Sequence, residues 1–345
     1  MSGDGAKRLG EKLLMEVEVE DLSSVFRSLH EFVLRGNGIP NRTQTSHFNI
    51  SEIDRLILSP GPPILEIISP PPTHHPFGAG KTSLLYLIVA HAILPPAFSS
   101  IFLGGQEAAI VLFDPLNHFS VPRLAEIMLS LLCSRLASTD QVVDEPLKAE
   151  MKCMIKTALQ HLHIFHPQSW SALLATIDSL PDYLFDQTTP HKSMHRRVQS
   201  IVLEDIDTFA WSIRGTNTSS VSTSSNALAT ASAQLTTRLT KLTKLFSCSM
   251  VLTSQSTTPS SYRPALPTSW PQGTLVTRLA VRRVDVSKFS SAISIEEAEK
   301  EKLQRWEVVS RGRFECWKVG VGVKDGEDFA FRVGKGIEME RGGGG

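Results

Sequence analysis

The residues best placed to do chemistry are Gly78-Ala79-Gly80-Lys81-Thr82, followed by Ser83. A glycine-rich turn presents successive backbone N–H groups, and these can surround phosphate oxygens. The lysine reaches the outer phosphates as a point charge, and the threonine hydroxyl can ligate the magnesium that travels with a nucleotide. Gly80 lets the main chain approach closely, and a helix starting here adds the positive end of its dipole. The expected ligand is ATP with Mg, and Gly78, Ala79, Gly80, Lys81, Thr82 and Ser83 are the cradle. The full GxxxxGK[ST] spacing is not met, because its first glycine would fall on His75. The stretch SPPPTHHPF also makes the loop longer than a compact phosphate loop needs.

Magnesium also calls for an acid at the end of a neighbouring strand. Ile201-Val202-Leu203-Glu204-Asp205 offers two, so the expected metal set is Thr82 and Glu204, with Asp205 as alternate. Asp205 could equally cap the next helix. Other candidates are weaker. His161, His163 and His166 form HxHxxH, and the first two share a face at period two, but no nearby cysteine or acid completes a zinc site. His74 and His75 read as exposed loop residues. Cys133, Cys153, Cys248 and Cys316 are far apart and form no CxxC pair, which points to a reducing compartment without a disulfide framework. No Gly-x-Ser-x-Gly elbow is present, so a serine hydrolase is not supported.

These residues need strands and helices to hold them. Residues 64–68 (ILEII) are short, β-branched and bounded by prolines, which predicts a buried strand. A helix over 83–94 stops at Pro95-Pro96. Residues 108–114 (AAIVLFD), 162–165, 198–205 (VQSIVLED) and 247–253 (SCSMVLT) read as further buried strands. Helices are expected over 121–136, with Pro122 in the first turn, over 169–180 and over 233–245. Residues 212–232 are rich in Ser, Thr and Asn and predict a mobile, disordered insertion. Residues 256–273 read as a polar, proline-rich loop. Residues 274–284, 314–323 and 329–333 alternate like late antiparallel strands, with a charged helix or linker at 295–306 between two of them. Continuous apolar strands alternating with helices predict an α/β fold, with a mostly parallel sheet covered on both faces. The expected organisation is a helical N-terminal segment at 1–58, where Leu9–Val33 is amphipathic, one core at 59–340, and a glycine tail at 341–345.

Composition sets outer limits. The 35 basic and 35 acidic residues balance, which excludes a nucleic-acid-coating charge over the whole chain. Hydrophobic residues at 41% exclude wholesale disorder. Aromatics at 7% argue against base-stacking platforms as the main feature. No apolar run is long enough to span a bilayer and no signal-peptide pattern opens the chain, so a cytosolic or nuclear protein is expected. His191–Arg197 (HKSMHRR) is a weak import candidate and reads better as a solvated loop.

Three segments occur in order: ILEIISPPPTHHPFGAGKTSLLYLIVAHAILPP, AAIVLFDPLNHFSVPRLAEIML and SIVLEDIDTFAW. Together they resemble the ATPase core of the eukaryotic RecA-like recombinase paralogues over roughly residues 60–340. The resemblance implies a RecA-like P-loop ATPase core and a nuclear role in homologous-recombination repair of double-strand breaks and stalled forks. It also implies hetero-oligomers with other RecA-like paralogues, and single-stranded or branched DNA as a further partner. Gln255 then takes the place of a polar residue that couples nucleotide state to the following DNA-facing loop. One departure bears on mechanism. Alignment through Asn117-His118-Phe119 puts Leu116 where active recombinases carry the glutamate that polarises water. Leucine cannot be a general base, so ATP would serve assembly with little hydrolysis, and no catalytic residue is assigned. A working DNA-dependent ATPase or a P-loop kinase is the alternative. Arg278, Arg282 and Arg283 could reach phosphates or a neighbouring subunit, or pair with acids on the sheet.

Overall fold

The computed structural model describes residues 46–57, 59, 61–71, 80–99, 101–137, 144–186, 188, 191–215, 221–258, 262–284, 294–297, 299, 302, 312–320 and 327–340. The expected N-terminal helix, the glycine tail, Gly78, Ala79 and most of the expected helix at 295–306 lie outside the described residues.

After helix α1 (Ser51–Leu56) the chain forms strand β1 (Ile64–Ser69) and helix α2 (Lys81–Ile93). A small ribbon of β2 (Ala97–Phe98) and β3 (Ile101–Phe102) leads to β4 (Ala109–Phe113). Helices α3 (Val121–Ala137) and α4 (Glu145–Leu159) precede β5 (Leu162–Phe165), and α5 (Trp170–Phe185) precedes β6 (Val198–Leu203). A 3-10 turn (Ile206–Phe209), α6 (Ala210–Gly215) and α7 (Val221–Phe246) lead to β7 (Ser249–Gln255). Strands β8 (Val276–Arg283), β9 (Arg313–Lys318), β10 (Asp328–Val333) and β11 (Ile337–Glu340) follow.

Apart from the β2–β3 ribbon, the described strands make one sheet in the order β11-β10-β9-β8-β1-β7-β6-β4-β5. From β8 to β5 the pairings are parallel; β9, β10 and β11 extend the sheet antiparallel. The fold is therefore α/β, with a mostly parallel central sheet, helices on both faces and late antiparallel strands. Successive residues of a strand point to opposite faces, and two cores result. Leu65, Ile67, Ile110 and Leu112 pack under α2, α3 and α4. Val111, Phe113, Ile201 and Leu203 pack under α5 and α7. The chain thus runs outward from β1 to β5 with helices on one face, and returns from β5 to β7 with helices on the other. At β1 and β7 the connections leave for opposite faces, and the carboxyl ends of strands at such a switch are the usual ligand position in these sheets.

Three expectations need correction. The core does not start at 59: Phe48, Ile50, Ile53 and Leu56 are buried in it, because Asp54 accepts backbone N–H bonds from His47, Phe48 and Ile50 and folds this segment back. The described part of the Ser/Thr-rich tract is helical rather than a disordered insertion; residues 216–220 lie outside the described residues. Residues 212–215 belong to α6 and 221–232 to α7. Leu228, Ala231, Leu235, Leu239 and Leu242 put one apolar stripe into the core, and the hydroxyls of Thr236, Thr240 and Thr243 bond back to carbonyls four residues earlier, so they cost the helix little. Ser232 Oγ accepts from the backbone N–H of Thr268 at 2.9 Å and ties the loop after β7 to α7. Finally, 191–197 is not simply solvated. Ser193 is buried, and Arg196 and Arg197 are held by Glu107 and Gln106.

Candidate functional site

Lys81 is the first residue of α2 and only 8% exposed. A cation at the positive end of a helix dipole, away from water, needs an anion or several acceptors. It has an anion and one hydroxyl: Nζ donates to Ser69 Oγ at the end of β1, at 3.1 Å, and forms an ion pair with Asp205 Oδ1 at 3.1 Å. Gly80, just before it, has φ 90°. A Cβ there would lie 2.7 Å from Phe314 Cδ1 and 3.1 Å from Phe331 Cζ, and these two rings stack on each other from β9 and β10. The late strands therefore press against the start of α2, and glycine is required there on two counts.

Thr82 Oγ1 donates to Glu204 Oε1 at 2.6 Å. Glu204 follows β6 and is 1% exposed, and its Oε2 has no hydrogen-bond partner. Burial pushes the Glu204 carboxyl up to about 7; the Thr82 bond lowers it, and the nearby Asp205 and Asp114 raise it further. Asp205 sits in the left-handed region (φ 44°, ψ 50°), with its backbone N–H on Thr253 Oγ1 of β7 at 2.8 Å. Its other oxygen, Oδ2, is 3.5 Å from His118 Nδ1. The buried Asp114 carboxylate accepts the backbone N–H groups of His118 and Phe119, at 3.0 and 2.9 Å, and so shapes the turn that carries His118. Asp207 accepts the Gln255 backbone N–H at 3.1 Å, and burial raises its carboxyl. Gln255 lies opposite Ser69 in the β1–β7 register.

The structure thus joins Lys81, Thr82, Glu204 and Asp205 in one cluster at the carboxyl ends of β1 and β6, with Gln255 beside it and Ser83 half-buried on the first turn of α2. Ser69, His118 and Asp207 are members that the sequence reading missed. The acid spacing Glu204-Asp205-x-Asp207 was a usable signal for the last. Leu116 is 42% exposed on the turn after β4.

Among the described residues no three His, Cys, Asp or Glu side chains are placed to hold a metal by themselves. Magnesium bound with a nucleotide needs fewer, since one or two carboxylates and the phosphates suffice. The partnerless buried Glu204 Oε2 beside the Thr82 hydroxyl fits that demand. His161 and His163 share the Ser193 hydroxyl, at 3.0 and 2.8 Å, and form a hydrogen-bonded core network. Arg278 places two nitrogens on Glu66 Oε2, at 2.8 and 2.6 Å, while Trp270 donates to Oε1. Arg282 pairs with Glu315. Both arginines are thus engaged within the sheet.

A scan of the sequence against protein-family models found no match, and neither did a search of curated proteins.

Proposed function

We propose that the chain is an ATP-binding subunit of the RecA-like recombinase paralogue type, with a P-loop core that holds Mg·ATP for assembly and turns it over slowly. One observation carries the nucleotide reading: a buried lysine and a threonine open the helix after β1 and meet two acids from the end of β6, at the carboxyl ends of the strands. In this reading Lys81 takes the outer phosphates, while Thr82 and Glu204 hold the magnesium, which supplies charge neutralisation when bound. The acids beside Lys81, Asp205 and Asp207, make binding depend on the metal, since a bare polyphosphate would meet their negative charge. No general base stands at Leu116, which supports slow turnover.

The recombination role rests on the resemblance of the three ordered segments. In that reading the chain works in the nucleus, in hetero-oligomers with other RecA-like paralogues that act on single-stranded or branched DNA. Calorimetric titration with ATP in magnesium, phosphate release with and without single-stranded DNA, and affinity capture of nuclear partners test the reading. Saturable binding, near-background release and capture of RecA-like proteins are expected. No binding would end the nucleotide reading, and fast DNA-stimulated release would end the assembly reading.

A further inference from the structure

We propose that Asp205 is an internal stand-in for the terminal phosphate: it clamps Lys81, so that a ligand enters only by displacing it, and it thereby selects for nucleotides with a full outer phosphate. This rests on the reading of Lys81 as the phosphate lysine. The two acids at the end of β6 are split in geometry. Glu204 faces the Thr82 hydroxyl at 2.6 Å, whereas Asp205 faces Lys81 Nζ at 3.1 Å. In this proposal Asp205 serves the lysine and Glu204 the metal, and Asp205 Oδ1, which has no hydrogen-bond partner beyond the ion pair, takes the place of a phosphate oxygen.

Its backbone supports the assignment. Asp205 is one of seven described non-glycine residues with positive φ, a conformation that aspartate adopts more readily than most, so it matters here for where it aims the side chain. Here the carboxylate faces the start of α2, and the Asp205 backbone N–H donates to the Thr253 hydroxyl of the next strand, which fixes the main chain. On the other side Ser69 holds Nζ from β1, so Lys81 keeps its place when Asp205 leaves. A new partner is at hand, since His118, 58% exposed, already lies 3.5 Å from Asp205 Oδ2. Displacing a paired carboxylate requires an anion at least as strong, which a terminal phosphate is. A nucleoside monophosphate puts no phosphate there and leaves the clamp shut.

Asp205→Asn tests this by calorimetry with ATP and AMP, in magnesium and in EDTA. ATP should bind about tenfold more tightly to the variant in magnesium, with EDTA as the control for binding without metal. Weaker binding confined to magnesium would make Asp205 a metal ligand and overturn the clamp, as would unchanged affinity. The clamp is also read without nucleotide. A slowly exchanging Lys81 ammonium signal in the 15N NMR spectrum, assigned by its loss in Lys81→Arg, is expected in the wild type. That signal with no ATP binding upholds the clamp and refutes the nucleotide reading. A free, fast-exchanging ammonium overturns the clamp whether or not ATP binds.

Discussion

Replacing Glu204 by Gln should make the protein more stable at neutral pH and leave it unchanged in acid. The carboxyl moves from 4.5 in the unfolded chain to about 7 when folded. Below about pH 4.5 both states hold the proton. Between 4.5 and 7 only the folded state keeps it, so unfolding becomes easier as pH rises. The interval is about 2.5 pH units, and at about 1.36 kcal/mol per unit the cost reaches about 3 kcal/mol above pH 7. Glutamine copies the shape and charge of the protonated acid, including the group at Oε2 that lacks a partner. Urea unfolding from pH 4 to 8 in EDTA, followed by tryptophan fluorescence, gives both curves. The variant minus wild-type difference should climb from near zero to about 3 kcal/mol. Asp207, whose carboxyl is also raised, is common to both proteins and drops out of the difference. Parallel curves across 4.5 to 7 would show that Glu204 is not held neutral by burial, and the site geometry would be wrong.

Lys81→Ala should weaken Mg·ATP binding and leave a background rate of phosphate release unchanged; wild-type turnover of about 1 per second that the substitution abolishes would contradict the assembly reading. Gly80→Ala forces a Cβ toward Phe314 at φ 90°, and should cost about 2 kcal/mol in thermal unfolding; an unchanged Tm would count against the contact. Arg278→Ala leaves the buried Glu66 charge without its ion pair, a loss of about 3 kcal/mol that adding Glu66→Gln should largely restore. Ser232→Ala should cost about 1 kcal/mol and speed amide exchange at Thr268 and Ser269, which a disordered tract would not do.

The central strands were readable because each is a short apolar run, closed by proline after β1 and by an acid after β4 and β6. The α/β class follows from their alternation with helices, and Lys81 and Thr82 with Glu204 follow from residue type. What was missed has physical reasons. Helix α4 carries its own start signal, Asp144 as N-cap accepting from the Leu147 N–H, but its apolar positions are sparse. In α7 the local preference of Ser and Thr for loops is overridden by the leucine stripe beneath them. Ser69 and His118 join the site only through strand register and a turn shaped by Asp114, and neither is encoded in nearby spacing. Arg278 had two open readings, and only the position of Glu66 across the sheet decides between them.

The place of β1 in the sheet also has a consequence for how the chain is made. Ile64–Ser69 pairs with β7 on one side and β8 on the other, and β7 begins only at Ser249. At roughly 5–20 residues per second a ribosome takes about ten seconds or more to bridge that gap. Throughout it a run of Ile, Leu and Ile waits with both edges bare, the type of segment that seeds aggregation. The flanking prolines Pro62, Pro63 and Pro70, together with Glu66 inside the run, act as gatekeepers during that wait. Glu66 thus has a task in the nascent chain before Arg278, made later, ever reaches it.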